Sequence, residues 1–388
     1  MEAQNMIKKI ITSLSTVAIC GSLAFSSQTL FAADTIKIGS FLAVTGGASF
    51  LGDPELKTLK MYIDEVNQKG GILGKQIELI HYDTAGNPKK AVNFIKRLVQ
   101  KDKVDIILGG STSGTTMAVA PLVEKFKIPM ISFAGSVKIV EPTKKWLFKT
   151  PHTDRMAAAK VFEDMKKRGF TKVALISGSG GFDKSGRVQS LALAPNYGIS
   201  IVADESYGNK DTDMTAQLTK IRGSDAQAIL NFGFGKAPAI VTKNIAQLGI
   251  KLPVYQSHGV ASDKYIELAG KAAEGVRLPA AAVIVSRQLA DNDPQKQIAM
   301  KYTKEYEAKH GKVSAFGSHA YDGLFIALNA IKRAKTIDKA AVRDEIEKTQ
   351  GFIGTAGIFN MAADDHMGLK LDSFKMLEIK DGQWTIVK

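Results

Sequence analysis

The sequence predicts an α/β fold of two similar lobes, each built on a largely parallel sheet. Three observations predict it. Short apolar runs alternate with stretches at helical spacing through most of the chain. The run 104–108 is nearly all apolar, as a strand covered by helices on both faces must be. Open loops rich in Gly, Ser and Thr follow several of the strands, which is where α/β sheets place their ligands.

The elements follow in order. Lys8 and Lys9 precede a moderately apolar run and then Leu30-Phe31-Ala32, the charged, apolar, small-residue order of a secretory signal peptide. Residues 1–32 are therefore expected to be cleaved on export. Cys20 is the only cysteine, and Ile19 before it disfavours a lipid anchor. Disulfides, cysteine zinc sites and thiol catalysis are excluded from the mature chain. A first strand spans 36–39, and the loop Ala43-Val44-Thr45-Gly46-Gly47 follows it. Asp53-Pro54 predicts the start of the first helix, an N-cap with Pro at N1, with Leu56, Leu59, Ile63 and Val66 on one face. Gly70-Gly71 predicts its stop. A second helix begins at Asn87-Pro88 and buries Ala91, Ile95, Leu98 and Val99.

The second series begins near Thr171. Strands are expected at 173–177, 199–205, 226–232 and 253–256, with helices including 188–193 and 237–248 between them. Later helices are expected at 294–309, 319–335 and 339–348. The end reads as a hairpin, 374–380 and 383–388, turning on Asp381-Gly382.

The net charge of +14 is spread along the chain with acids interleaved and no stacking aromatics, so nucleic-acid binding is not expected. Gly109-Gly110-Ser111-Thr112-Ser113-Gly114 joins a buried strand to a helix, and such a junction presents amides and hydroxyls to an anion. It lacks the Gly-Lys-Ser/Thr of a phosphate loop. Ser136 ends the next strand on the same edge and could converge with Ser113. Gly178-Ser179-Gly180-Gly181-Phe182 lacks the glycine pattern of a dinucleotide loop. Phe234 and His258 end two strands of the second lobe. The remaining histidines have no paired metal-ligand spacing, and no nucleophile elbow is present. No enzyme activity, cofactor or metal is expected.

The order and spacing of these segments resemble the type I periplasmic solute-binding proteins of branched-chain amino-acid ABC transporters. The resemblance rests on Thr45-Gly46 with Gly52, on 67–75, on Asp83 with Asn87-Pro88, and on 104–110. It continues through Ser113-Gly114, 118–121, 128–132, 272–275 and 320–323, so that it covers essentially the whole mature chain. It implies two Rossmann-like lobes joined by a three-segment hinge, with lobe 1 at 33–153 and 283–350 and lobe 2 at 154–282 and 351–388. It also implies a periplasmic monomer that delivers its ligand to a membrane permease.

By the same resemblance Ser113, with Thr112 beside it, and Ala134 with Ser136 hold a carboxylate, and Phe234 is the second-lobe aromatic. Phe50 and Leu51 line the pocket for the ligand's body. Where amino-acid binders carry a Glu for the ammonium, this chain has Ser257-His258-Gly259. The expected ligand is therefore a small carboxylate without an α-amine, aromatic or branched. The alternatives are a branched-chain or other neutral amino acid, with an acid such as Asp183, next to Phe182, replacing the missing Glu, or a module that presents ligand to a sensor. A secreted α/β enzyme is disfavoured.

Overall fold

In the computed structural model, residues 35–208 and 210–387 are described. The export signal read at 1–32, Cys20 included, lies outside them. The first sheet takes its strands from the first third of the chain. β1 (Ile36–Leu42) leads through α1 (Ser49–Gln68) to β2 (Ile77–Asp83), and α2 (Pro88–Gln100) leads to β3 (Ile106–Gly109). Next come α3 (Ser113–Phe126), β4 (Met130–Ser132) and β5 (Leu147–Lys149). The order is β2-β1-β3-β4-β5, all parallel. Sequence-distant strands thus meet with every strand pointing one way, and all their C-terminal loops share one edge.

The second sheet repeats that wiring. After α4 (Asp154–Lys167) come β6 (Lys172–Ser177), α5 (Gly181–Leu193), β7 (Ser200–Ser206), α6 (Thr215–Arg222) and β8 (Ala228–Phe232). Then follow α7 (Ala237–Gln247), β9 (Val254–Gln256), α8 (Asp263–Ala269) and β10 (Arg277–Ala281). Helices α9 (Lys296–His310), α10 (Ala315–Ala334) and α11 (Lys339–Glu347) return to the first lobe. A short hairpin of β11 (Phe352–Ile353) and β12 (Ile358–Phe359) precedes β13 (Phe374–Lys380) and β14 (Gln383–Ile386). The order is β14-β13-β10-β9-β8-β6-β7, so β7-β6-β8-β9 matches β2-β1-β3-β4. The last two strands run antiparallel and turn on Asp381 and Gly382, both at positive φ, as a primed hairpin turn demands.

Local chemistry explains most boundaries. Asn87 caps α2 by accepting from the amides of Lys89 and Lys90. Asp83 at the end of β2 accepts from the amides of Val44, Thr45 and Ala85 and from the Thr45 hydroxyl, which pins the loop after β1. The start of α1 differs from expectation. The helix begins at Ser49, so Asp53 is not its cap and Pro54 sits inside it. Tertiary contact overrides the proline signal: Leu51 is buried, and a Cβ at Gly52 would lie 2.4 Å from the Ala43 backbone. Pro54 forgoes one helical bond to keep that packing. Helix α4 and strand β10 carried too little pattern to be placed from sequence.

Three crossovers join the lobes, and they are laced together. The Lys149 amide donates to the His366 carbonyl (3.1 Å), and His366 packs flat on Phe148. His152 stacks on Phe374 at 3.8 Å between centroids and bonds Ser373. Gln295 donates to the carbonyls of Gly354 and Thr355, and buried Asp322 of α10 accepts from Thr355 and Ala356.

Candidate functional site

The cleft between the lobes lies where both sheets present their C-terminal edges, at the β1/β3 and β6/β8 switch points. Its inner part is narrow, about 40 Å³, and it opens into a mouth of about 410 Å³. A solute larger than a few waters therefore enters only if the lobes part.

One wall is polar. Ser111, Thr112 and Ser113 open α3, but their hydroxyls are not equivalent. Ser111 donates to buried Glu55 (2.5 Å) and accepts from the Ala43 amide, so the protein uses it up. Burial holds the Glu55 carboxyl well above the usual range, against the opposing effect of the Ser111 bond. Thr112 caps α3 through the Thr115 amide. Ser113 Oγ accepts from the Ser136 amide at 3.1 Å, which leaves its O–H to donate into the cleft. The amides of Ser113 and Gly114 in the first turn have no acceptor within their helix.

The start of α5 faces that turn: a Cβ at Gly181 would lie 3.3 Å from the Gly114 nitrogen. Two helix N-termini, each the positive end of its dipole, thus meet across the cleft. Lys236 stands at the mouth. Among the described residues, neither Asp nor Glu lines the inner cleft or its mouth.

The other walls are apolar. Leu51, Phe133 and Pro151 come with Phe182, Phe234 and Phe316. Phe50 sits behind Leu51, edge-on to Phe316 at 5.4 Å and 6.3 Å from Phe234. The floor is basic. His258 and His319 line it, with His152 and fully buried Lys149 beneath. The Lys149 ammonium reaches only carbonyls, of His152 (3.2 Å) and Gly135 (3.4 Å). Burial pulls it down to about 7, against the attraction of Asp154. Burial likewise pulls His258 and His319 down to about 3, with Lys149 adding to both.

That ammonium makes a measurable contribution. An unfolded lysine keeps its proton to about pH 10.4, whereas Lys149 in the folded chain gives it up near 7. The unfolded state therefore binds more protons between those values, and stability rises with pH across the window. Chemical denaturation at pH 7 and at pH 9.5 is expected to show that rise in the wild type and none in Lys149→Met. Equal slopes in the two would assign the rise to another group.

Of the residues expected from sequence, the cleft brings together Leu51, Thr112, Ser113, Phe182, Phe234 and His258. Ala134 is buried in the core of the first lobe. The Ser136 hydroxyl bonds Ser185 of α5 at 2.8 Å, a link between lobes, while its amide serves Ser113. Asp183 turns back to accept from the Gly180 amide, capping α5, and burial pushes it up to about 7. Sequence reasoning missed Phe316 and His319. Both sit on α10, whose 3.6-residue pattern announces burial without saying against what.

The described chain matches the family model for periplasmic binding proteins over residues 35–383. It is 25% identical to a leucine-, isoleucine-, valine-, threonine- and alanine-binding protein of Pseudomonas aeruginosa, over 96% of each chain. Among solved structures it resembles an extracellular ligand-binding receptor from Rhodopseudomonas palustris, with a TM-score of 0.85 and 27% identity. That match covers 91% of this chain and 99% of the other. A branched-chain amino acid transporter substrate-binding protein from Streptococcus pneumoniae, solved with isoleucine, gives 0.80 and 26%, over 91% and 99%.

Proposed function

Because the chain belongs to the periplasmic binding protein family, we propose that it captures a small monocarboxylate with an aromatic or branched body and no α-amine. On this reading it is exported behind a signal ending at Ala32, works as a monomer, and hands its ligand to an ABC permease. One observation carries the ligand class: two helix N-termini and the Ser113 hydroxyl converge on a cleft that, among the described residues, no acidic side chain lines. An anion gains there from dipoles and unpaired amides. A buried ammonium would meet phenyl rings, neutral imidazoles and the Lys149 ammonium, and an uncompensated buried charge costs several kcal/mol. The aromatic walls suit a flat or branched apolar body.

A second reading, a neutral amino acid, is favoured by the names of the relatives. It requires Asp183 to ionise and to turn its second oxygen, Oδ1, which is buried without a partner while Oδ2 accepts from the Gly180 amide, toward the ligand.

A thermal-shift panel decides between them. Aromatic and branched monocarboxylates are expected to raise the melting temperature, since a ligand confined to the folded state stabilises it. Leucine, isoleucine and valine are expected to do so weakly or not at all. A strong response to leucine with none to any amine-free acid would establish the second reading.

A further inference from the structure

We infer that Lys149 is a positioning residue for the ligand's carboxylate. Its buried ammonium acts through the Gly135–Ser136 peptide on the Ser113 hydroxyl, and it takes up a proton as an anion enters the cleft. The inference rests on the reading above for the carboxylate's place at Ser113.

The connection is one peptide long. The Gly135 carbonyl lies 3.4 Å from Lys149 Nζ, and the amide of the same peptide unit, on Ser136, donates to Ser113 Oγ at 3.1 Å. The Asp154 amide donates to that carbonyl as well, at 2.9 Å, and fixes its direction. Gly135 and Ser113 both line the inner cleft. A cation on the carbonyl side of a peptide polarises it and makes its N–H the stronger donor, and each bond in such a row strengthens the next. Ser113 then presents a more polarised O–H to a carboxylate.

Lys149 has no counter-ion of its own. Its Nζ reaches the carbonyls of Gly135 and His152, and no carboxylate among the described residues bonds it. Three acids attract it from further off: Asp154 of α4, Asp365 and Glu141. Asp154 Oδ1 accepts from the amides of Val137 and Arg155, and its Oδ2 is buried without a partner. Asp365 Oδ1 accepts from the amides of Met367 and Gly368, and Glu141 pairs with Arg155. The other titratable groups that feel the ammonium are His152, His258 and His319, and burial holds all three neutral.

A fully buried ammonium that meets only carbonyls is uncompensated. A carboxylate at Ser113 brings the missing charge from outside the protein. By the same attraction it favours the protonated form of Lys149. Burial alone holds that amine at about 7. A carboxylate that arrives at slightly alkaline pH therefore draws a proton from the buffer onto the Nζ lone pair.

Calorimetric titration tests this with isocaproate, phenylpropanoate and leucine, the tightest binder of the three serving as probe. Their carboxylates stay ionised over the range of about pH 6.5 to 8.5. At about pH 7.5, in HEPES and in Tris, whose heats of ionisation differ, the wild type is expected to take up about half a proton per ligand. Its affinity is expected to fall about tenfold from about pH 6.5 to 8.5. Lys149→Met removes the amine, and Lys149→Gln keeps a donor for the carbonyls without the charge. Both variants are expected to take up no proton, to bind about tenfold more weakly than the wild type at the acid end of the range, and to match it within about threefold at the alkaline end. Equal weakening at both ends marks a merely structural role and overturns the inference. So does uptake that persists in the variants, which assigns it to a carboxyl such as Glu55 or Asp183. A wild type that takes up no proton overturns it whether or not the variants fold. Where neither folds, carbon-13 lysine labelling of the wild type decides. One lysine is expected to titrate at about 7 without probe and about one pH unit higher with it, and the lack of such a signal overturns the inference. Leucine binding with silence from both acids overturns the amine-free reading alone, because leucine carries the same carboxylate into this test. Silence from all three overturns the carboxylate site and the inference with it.

Discussion

Replacing Asp322 by Ala is expected to lower the unfolding free energy by about 2–5 kcal/mol, measured by urea denaturation. The carboxylate is fully buried and accepts from the Thr355 amide (2.7 Å), the Ala356 amide (2.9 Å) and the Thr355 hydroxyl (3.0 Å). Alanine would leave two backbone donors buried without an acceptor, each at about 1–3 kcal/mol. Those donors belong to the third crossover, so the loss also loosens the lacing between the lobes. Asn keeps an oxygen for part of the network, and its loss is expected to be less than half that of Ala. Burial pushes Asp322 up to about 7, whereas the unfolded carboxyl titrates near about 3.9. The folded chain thus holds the extra proton between those values, and its stability contribution is lost as pH rises through them. Asn has no proton to lose and should close on the wild type between pH 4 and 8. Equal losses for Ala and Asn at pH 8 would attribute the effect to charge and not to the geometry of the acceptors.

Gly135→Val is expected to weaken ligand binding by roughly tenfold to hundredfold while leaving most of the stability in place. A Cβ at this position would lie 2.8 Å from Phe182 Cε2 and 2.9 Å from His258 Nε2, both on the opposite lobe. Overpacking of this kind amounts to about 1–3 kcal/mol, and each factor of ten in affinity is about 1.4 kcal/mol. The lobes can escape the clash by rotating apart, so the penalty falls on closure and not on folding. Titration of the best wild-type ligand measures the first effect, and small-angle scattering should show a larger radius for the variant at saturating ligand. An unchanged affinity would mean that the lobes do not approach each other at this loop when ligand binds.

The fold was legible because its signals are local. Asn87-Pro88 caps a helix and Asp381-Gly382 turns a hairpin whatever surrounds them. The buried strands declare themselves by composition. The start of α1 was not legible, since what draws Ser49 to Gly52 into the helix is the packing of Gly52 on the Ala43 backbone, far from any capping rule. The candidate site divides in the same way. Ser113 and His258 stand at strand-to-helix and strand-end junctions, where chain order alone points to the sheet edge. Phe316 and His319 reach the same cleft from the first two turns of a long helix, and nothing in the 3.6 period separates a face that meets a cleft from one that meets a core. Asp183 shows the converse. It stands next to Phe182 of the cleft as an acid that could replace the missing Glu, yet one of its oxygens caps its own helix through the Gly180 amide while the other is buried without a partner, and chain order shows neither.

The return of α9 and α10 to the first lobe has a consequence for biosynthesis. Thr58 of α1 bonds Tyr302 of α9 at 2.8 Å across 244 residues of chain, and α1 lies along α10. As the polypeptide emerges from the ribosome, all the strands of the first sheet are made early, yet the face that α1 covers only in part waits for α10 until residue 334 has been synthesised. The parallel strands of the second sheet, from β6 to β10, are complete before then. The usual N-to-C order of domain folding is therefore inverted here: the domain begun first is finished late. During that interval the apolar surface that α10 will cover stays open, and the first lobe cannot close its core.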